Sequence, residues 1–171
     1  MSELSQDEKW KGLMRGQVMS ATVNKFSVII RLLDQKAQVM IFLNSIIVPV
    51  CLNSIDKPGL RDAAIISIVT AVLSILAAMI CIYPKRRYRK SGDRALNLLH
   101  FNDIGHLEKD DYMIRFKEVL NTPDKLAETV VQDLYDTSRF SILPKYMWLK
   151  FSYAIFAIGN IFAILVAFLG L

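Results

Sequence analysis

The 171-residue sequence lacks the short motifs by which many enzymes and metal proteins are recognised. It contains no phosphate-binding glycine loop, no Cys-x-x-Cys pair, no His-Glu-x-x-His helix and no Gly-x-Ser-x-Gly elbow. Only seven glycines are present in all. The sequence therefore predicts a protein that is not an enzyme, with no catalytic residues, no bound metal and no cofactor.

Charged residues are missing from three long stretches. Residues 37–55, 63–83 and 151–171 give 19, 21 and 21 consecutive residues without a charge. At about 1.5 Å per residue each stretch reaches about 28–31 Å as a helix, close to the ~30 Å hydrocarbon core of a bilayer. We predict an all-α integral membrane protein with three transmembrane helices, a tight helical hairpin followed by a C-terminal span.

These stretches divide the chain into four predicted parts. Residues 1–36 are an amphipathic cytoplasmic helix, 37–83 the transmembrane hairpin, 84–150 a cytoplasmic helical region and 151–171 the third transmembrane helix. Residues 1–36 are polar and charged and show no cleavable signal, so we expect the first span to be retained.

The distribution of Lys and Arg predicts the orientation in the membrane. Six precede the first span, two lie between the first and second, and thirteen lie between the second and third. By the positive-inside rule, the N-terminus and the 84–150 loop are cytoplasmic. The net charge of +5 therefore indicates contact with a membrane surface rather than with DNA or RNA.

Local signals predict several turns and helix ends. Pro58 followed by Gly59 is typical of a type II turn between the first two spans. Helices are expected to start near Lys109 and after Thr122, the latter with Thr as N-cap and Pro at the first helical position. The second of these helices is expected to continue into the third span with a kink at Pro144. Residues 96–104 fit no single pattern.

Polar residues inside the spans are expected to hydrogen-bond between helices. The hairpin partners are Asn44 and Ser45 in the first span with Ser67, Thr70 and Ser74 in the second. Cys51 and Cys81 lie near opposite faces of the bilayer, too far apart for a disulfide.

Asp34 lies at the cytoplasmic mouth of the first span, where an unpaired acid is costly. Lys36 is beside it, and Lys145 and Lys150 lie at the mouth of the third span. Either Asp34 pairs with one of these lysines, or all four side chains extend separately into the headgroup region. The residues predicted to act at the membrane interface or in assembly are Asp34, Lys36, Asn44, Lys145 and Tyr146.

A basic run follows the second span directly. It is either a topology anchor or a binding surface for an anionic ligand such as a nucleotide phosphate, with the tyrosine stacking on the base. As a nucleotide site it would comprise Arg86, Arg87, Tyr88, Arg89, Lys90 and Arg94.

One acidic and histidine-containing cluster combines groups that can bind metals. Its spacing matches no familiar metal site, so a solvated surface is the alternative to a ligand set. The cluster comprises His100, Asp103, His106, Glu108, Asp110 and Asp111.

Short motifs follow one another in a recognisable order along residues 30–171. They are LDQKA at 33–37 leading to Asn44 and Ser45, a second span ending at Pro84, LLHFNDI at 98–104, DY at 111–112, DLY at 133–135 and KY at 145–146 before the last span. This order resembles the Pycsar effector transmembrane family. The resemblance implies an antiphage effector of the bacterial inner membrane, activated by cyclic UMP or cyclic CMP from a partner pyrimidine nucleotide cyclase.

Two functions from different classes remain open at this point. The first is a ligand-triggered effector that disrupts or permeabilises the membrane and arrests the infected cell. It requires a homo-oligomer, because one protomer supplies too few polar residues within its spans for a wide pore. The chain also departs from a full ligand-gated effector, since no cyclic-nucleotide-binding domain with a glycine-rich phosphate cassette is recognisable. The alternative is a constitutive membrane scaffold or accessory subunit that recruits a partner through its cytoplasmic helices.

Overall fold

The computed structural model describes residues 6–83 and 97–169, and for residues 6–9, 101 and 102 it describes the backbone alone. Of the described residues 88% are helical, and none lies in a strand. The all-α class is therefore confirmed. The helices are α1 (Gln6–Leu52), α2 (Arg61–Ile82), α3 (Phe101–Ile104), α4 (Lys109–Asn121), α5 (Pro123–Thr137), a π-helix (Ser138–Ile142) and α6 (Leu143–Leu169).

The described residues form two compact units. The first, which we call the membrane unit, contains residues 29–83 and 141–169. The second, the helical unit, contains residues 6–28 and 97–140. Three stretches of helix are long and apolar enough to cross a bilayer, Trp10–Leu52, Arg61–Ile82 and Pro123–Leu169. This confirms the three predicted membrane-spanning helices.

Small residues determine how the membrane unit packs. Most of the buried residues of α2 are alanine or serine, among them Ala71, Ser74 and Ala78. Among the described helices, α2 and α6 pack against each other more extensively than any other pair. Without a hydrophobic driving force between helices in lipid, small side chains are what allow such close approach. The predicted turn joins α1 to α2, but the closest packing of α2 is with α6.

The predicted turn between α1 and α2 is confirmed in detail. Gly59 has a φ of 80°, and the backbone N–H of Leu60 donates to the carbonyl of Lys57 at 3.2 Å. A type II turn needs a positive φ at its third residue, which glycine adopts without steric cost. The Pro58 and Gly59 pair therefore sets the reversal of the chain.

The predicted helix starts in the helical unit are also confirmed. Helix α4 begins at Lys109, and α5 begins at Pro123 after Thr122 as N-cap residue. The Thr122 side chain makes no capping hydrogen bond. Lys125 of α5 forms an ion pair with Glu118 of α4, and this hydrogen bond lowers the pKa of the Glu118 carboxyl.

The connection between α5 and α6 differs from the prediction of a kink at Pro144. Helical structure continues, but a π-helix of five residues, Ser138–Ile142, precedes Pro144. In a regular α-helix the residue at 144 would donate to the carbonyl of Phe140, and proline lacks that N–H while its ring collides with the carbonyl. The wider turn of the π-helix before Pro144 relieves both the collision and the missing hydrogen bond.

Candidate functional site

Three buried polar side chains connect the three spans of the membrane unit. Asn44, Ser74 and Ser152 belong to α1, α2 and α6, and each is fully buried. Asn44 Nδ2 donates to Ser74 Oγ at 3.1 Å. The hydroxyl of Ser74 lies 3.1 Å from the carbonyl of Ser152, and the hydroxyl of Ser152 donates back to the carbonyl of Ser74 at 2.9 Å. We call these three residues the polar triad.

The triad only partly matches the predicted hydrogen bonds across the hairpin. The hydrogen bond from Asn44 to Ser74 was predicted. The hydroxyl of Ser45, however, donates to the carbonyl of Ile41 in its own helix. Thr70 also stays within its own helix, bonding the carbonyls of Ile66 and Ser67. In the described residues Asn44 Oδ1 finds no hydrogen-bond donor, so the triad is left with one free acceptor.

We expect Ser74→Ala to destabilise the membrane unit by about 1 kcal/mol, because the substitution removes two interhelical hydrogen bonds worth about 0.6 kcal/mol each. Reversible unfolding in mixed micelles measures the loss. Ser45→Ala is the matched control, since the Ser45 hydroxyl is exposed and bonds only its own helix. Equal effects of the two substitutions would contradict the role of the triad.

An ion pair lies further toward the N-terminal end of the α1 span. Asp34 accepts a hydrogen bond from Lys145 Nζ. The Lys145 side chain is 6% exposed, whereas that of Asp34 is 30% exposed. The backbone carbonyl of Lys145 also accepts from Cys81 Sγ of α2 at 3.2 Å. Residues of all three spans therefore meet at this level, about 15 Å along α1 from Asn44.

Three lysines were predicted as possible ion-pair partners of Asp34. The structure pairs Asp34 with Lys145, while Lys36 and Lys150 have exposed side chains. Tyr146, also predicted to act at the interface, is 57% exposed. The role of these residues in assembly stays a prediction.

Helices α2 and α6 pack closely at Gly159. A Cβ atom at this position would lie within 3 Å of three side-chain atoms of Thr70. Only glycine therefore fits the observed packing at this point of α6. Sequence reasoning did not single out Gly159 or Ser152, although their spacing of seven residues places both on one face of α6.

A second polar cluster lies in the helical unit around the buried residue Asn97. Its Nδ2 donates to Asp133 Oδ1 at 2.9 Å, and its backbone N–H donates to Asp103 Oδ2 at 3.2 Å. The backbone N–H of Leu99 donates to Asn97 Oδ1 at 3.0 Å. Two motifs that carried the family resemblance, at 98–104 and 133–135, are therefore brought together by one asparagine that the sequence analysis left unremarked.

The remaining two candidate sites are the acidic and histidine-containing cluster and the basic run. No three His, Cys, Asp or Glu side chains converge as a metal site in the described part of the chain. Asp103, one member of the proposed ligand cluster, instead bonds Asn97. The basic run Arg86, Arg87, Tyr88, Arg89, Lys90 and Arg94 lies outside the described residues.

The fold and the buried contacts define a small helical membrane protein with three spanning helices, joined by a polar triad and an ion pair. The sequence profile of the Pycsar effector protein domain matches residues 18–171. The chain therefore belongs to the Pycsar effector transmembrane family, whose members serve in antiphage defence beside a cyclase that makes a cyclic nucleotide. Comparison with curated proteins gives no match, and neither does comparison with solved structures.

Proposed function

We propose that this chain is a membrane-permeabilising effector that a cyclic pyrimidine nucleotide, cyclic UMP or cyclic CMP, switches on after infection. The observation that supports this most strongly is the complete burial of Asn44, Ser74 and Ser152 inside one protomer. These side chains bond one another rather than facing a pore. A single protomer in this arrangement is a resting state.

Activation then has two requirements. The polar groups must exchange their partners within the bundle for partners in other copies or for water, because unpaired polar groups in lipid cost several kcal/mol each. Several protomers must also combine, since a wide aqueous path needs more polar lining than one protomer supplies. The proposed active form is a homo-oligomer in the bacterial inner membrane.

The most informative test of this proposal is the oligomeric state of the full-length protein in lipid nanodiscs or detergent, with and without cyclic UMP or cyclic CMP. We expect the nucleotide to raise the mass of the complex. A complex of the same size without nucleotide, together with an intact membrane in cells, would favour the scaffold function instead.

The proposed orientation places the N-terminus and the 84–150 loop in the cytoplasm. Reporter fusions should give cytoplasmic signals at the N-terminus and at residue 110, and periplasmic signals at Gly59 and Leu171, because thirteen of the 21 basic residues lie in the 84–150 loop. A periplasmic signal at residue 110 would contradict the orientation.

The proposed nucleotide site is the basic run after the second span. A cyclic nucleotide carries one negative charge, and a bidentate arginine is the strongest single partner for its phosphate. We expect Arg→Lys at one of Arg86, Arg87, Arg89 or Arg94 to weaken nucleotide binding about tenfold or more, because lysine keeps the charge but loses the planar fork. Calorimetry measures binding, and protease protection of the loop checks that insertion is unchanged. If none of the four substitutions weakens nucleotide binding, the basic run serves only as a topology anchor.

A further inference from the structure

The buried amide of Asn44 uses only half of its hydrogen-bonding capacity. Its Nδ2 group donates to the carbonyl of Met40 at 2.7 Å and to Ser74 Oγ at 3.1 Å. Its oxygen Oδ1 accepts nothing from the described residues, although an amide oxygen can accept two hydrogen bonds. The side chain is fully buried, and the packing around it closes Oδ1 to water. The free acceptor is therefore a property of the packed bundle.

The neighbours of the amide fix its orientation. If Oδ1 and Nδ2 exchanged places, the amide oxygen would face the carbonyl oxygen of Met40 at 2.7 Å. Two acceptors at that distance repel each other, whereas Nδ2 in the same place donates a hydrogen bond. The contact with Met40 therefore keeps Nδ2 bonded and leaves Oδ1 as the group without a partner.

A buried acceptor without a partner weakens the state that contains it. The penalty corresponds to about 10- to 100-fold in the equilibrium constant between the packed state and one in which the acceptor is bonded. Folded proteins contain few such groups, and storage of strain is one recognised reason for keeping one. The membrane unit is thus less stable than its packing alone would allow.

The position of Asn44 relates this strain to the opening of the bundle. The polar triad joins α1 to α2 and α6 through the bond from Asn44 to Ser74. When α1 moves away from α2, that bond is lost, but water or another donor can then reach Oδ1. We infer that the free acceptor of Asn44 lowers the stability of the resting bundle and, with it, the amount of nucleotide needed to open it. The second half of this inference rests on the proposed function.

A threonine at position 44 would remove the free acceptor while keeping the contacts of Nδ2. Hydroxyls elsewhere in the described helices donate to the carbonyl four residues earlier, as in Thr22, Ser45, Ser54 and Thr70. A threonine hydroxyl at position 44 can donate to the carbonyl of Met40 in the same way and accept from Ser74. Threonine is close to asparagine in volume, so the packing changes little.

Two measurements on the full-length protein test the inference. We expect Asn44→Thr to raise the folding equilibrium constant in mixed micelles about tenfold. In sealed vesicles, it should raise the concentration of cyclic UMP or cyclic CMP that gives half-maximal dye release by about the same factor. Asn160→Thr is the matched control, because Asn160 Nδ2 also donates to the carbonyl four residues earlier, at 2.7 Å, but its side chain is only partly buried. We expect the control to change either value less than about twofold.

Asn44→Asp should have the opposite effect. Aspartate has the shape of asparagine but replaces the donating Nδ2 by a second oxygen, so the contacts with Met40 and Ser74 are lost and more acceptors lack a partner. We expect a smaller folding equilibrium constant and dye release at a lower nucleotide concentration than in the parent chain.

The outcomes separate this inference from the proposed function. An Asn44→Thr protein that unfolds more readily than the parent, or is stabilised no more than Asn160→Thr, would overturn the inference. Nucleotide-dependent release with the same half-maximal concentration in both chains would overturn it too, and would leave the proposed function standing. A stabilised Asn44→Thr protein whose parent releases no dye with either nucleotide would keep the strain at Oδ1 and overturn the proposed function.

Discussion

Asp34→Asn should destabilise the membrane unit by about 3 kcal/mol, because it leaves the buried Lys145 ammonium without its counter-charge. The value is at the low end for a broken buried pair, since the Asp34 side chain is partly exposed. The loss should appear in unfolding experiments in mixed micelles. In cells, we expect reduced assembly and reduced toxicity, because α1 and α6 are no longer joined by the ion pair of Asp34 and Lys145.

Two further variants make this result specific. Asp56→Asn removes an exposed acid from the turn between α1 and α2, and we expect it to change neither stability nor toxicity. Lys145→Met removes the more deeply buried charge and should cost less than Asp34→Asn, since the ion it leaves unpaired is the Asp34 carboxylate, whose side chain is 30% exposed. If Asp34→Asn and Asp56→Asn have the same effect on stability and toxicity, the ion pair has no role. The side chains of Asp34, Lys36, Lys145 and Lys150 then act separately in the headgroup region.

Gly159→Ala is expected to destabilise the packing of α2 on α6 by about 2 kcal/mol, within the range for an overfilled interior. The added Cβ would overlap the side chain of Thr70, so the two helices must separate and weaken the hydrogen bonds between Ser74 and Ser152. The measurement is again the free energy of unfolding in mixed micelles.

The chain provides both a control and a rescue for this substitution. A Cβ at Gly12 meets nothing within 4 Å, so Gly12→Ala should leave the membrane unit intact and stabilise its helix by about 1 kcal/mol. Thr70→Gly removes all three atoms that the new Cβ would meet, and should recover part of the loss in the double variant. If Gly159→Ala costs the same stability with and without the Thr70→Gly change, the cause lies elsewhere.

Features set by local chemistry were predictable from the sequence. A stretch of about 20 residues without charge is decisive in a bilayer, because only a helix satisfies its own backbone there. The turn at Gly59 and the start of α5 at Pro123 depend on two or three adjacent residues. These predictions needed no knowledge of which helices are neighbours.

Features set by the register between helices were not predictable in this way. Three lysines were candidates for Asp34, and only the relative position of α1 and α6 selects Lys145. The closeness of α2 to α6 depends on Thr70 facing Gly159, which are 89 residues apart in the sequence. The π-helix before Pro144 has no sequence signature comparable to an N-cap, so its place became visible only in the structure.

We propose that a cyclic pyrimidine nucleotide makes this protein permeabilise a membrane. The most direct measurement is dye release from sealed vesicles that contain the purified full-length chain and anionic lipid, with cyclic UMP, cyclic CMP or cyclic AMP added on the side of the 84–150 loop. We expect release with a cyclic pyrimidine nucleotide and little release with cyclic AMP or without nucleotide. Inserted, folded protein that releases no dye at any concentration of the three nucleotides, or releases it equally without them, would contradict the proposed function.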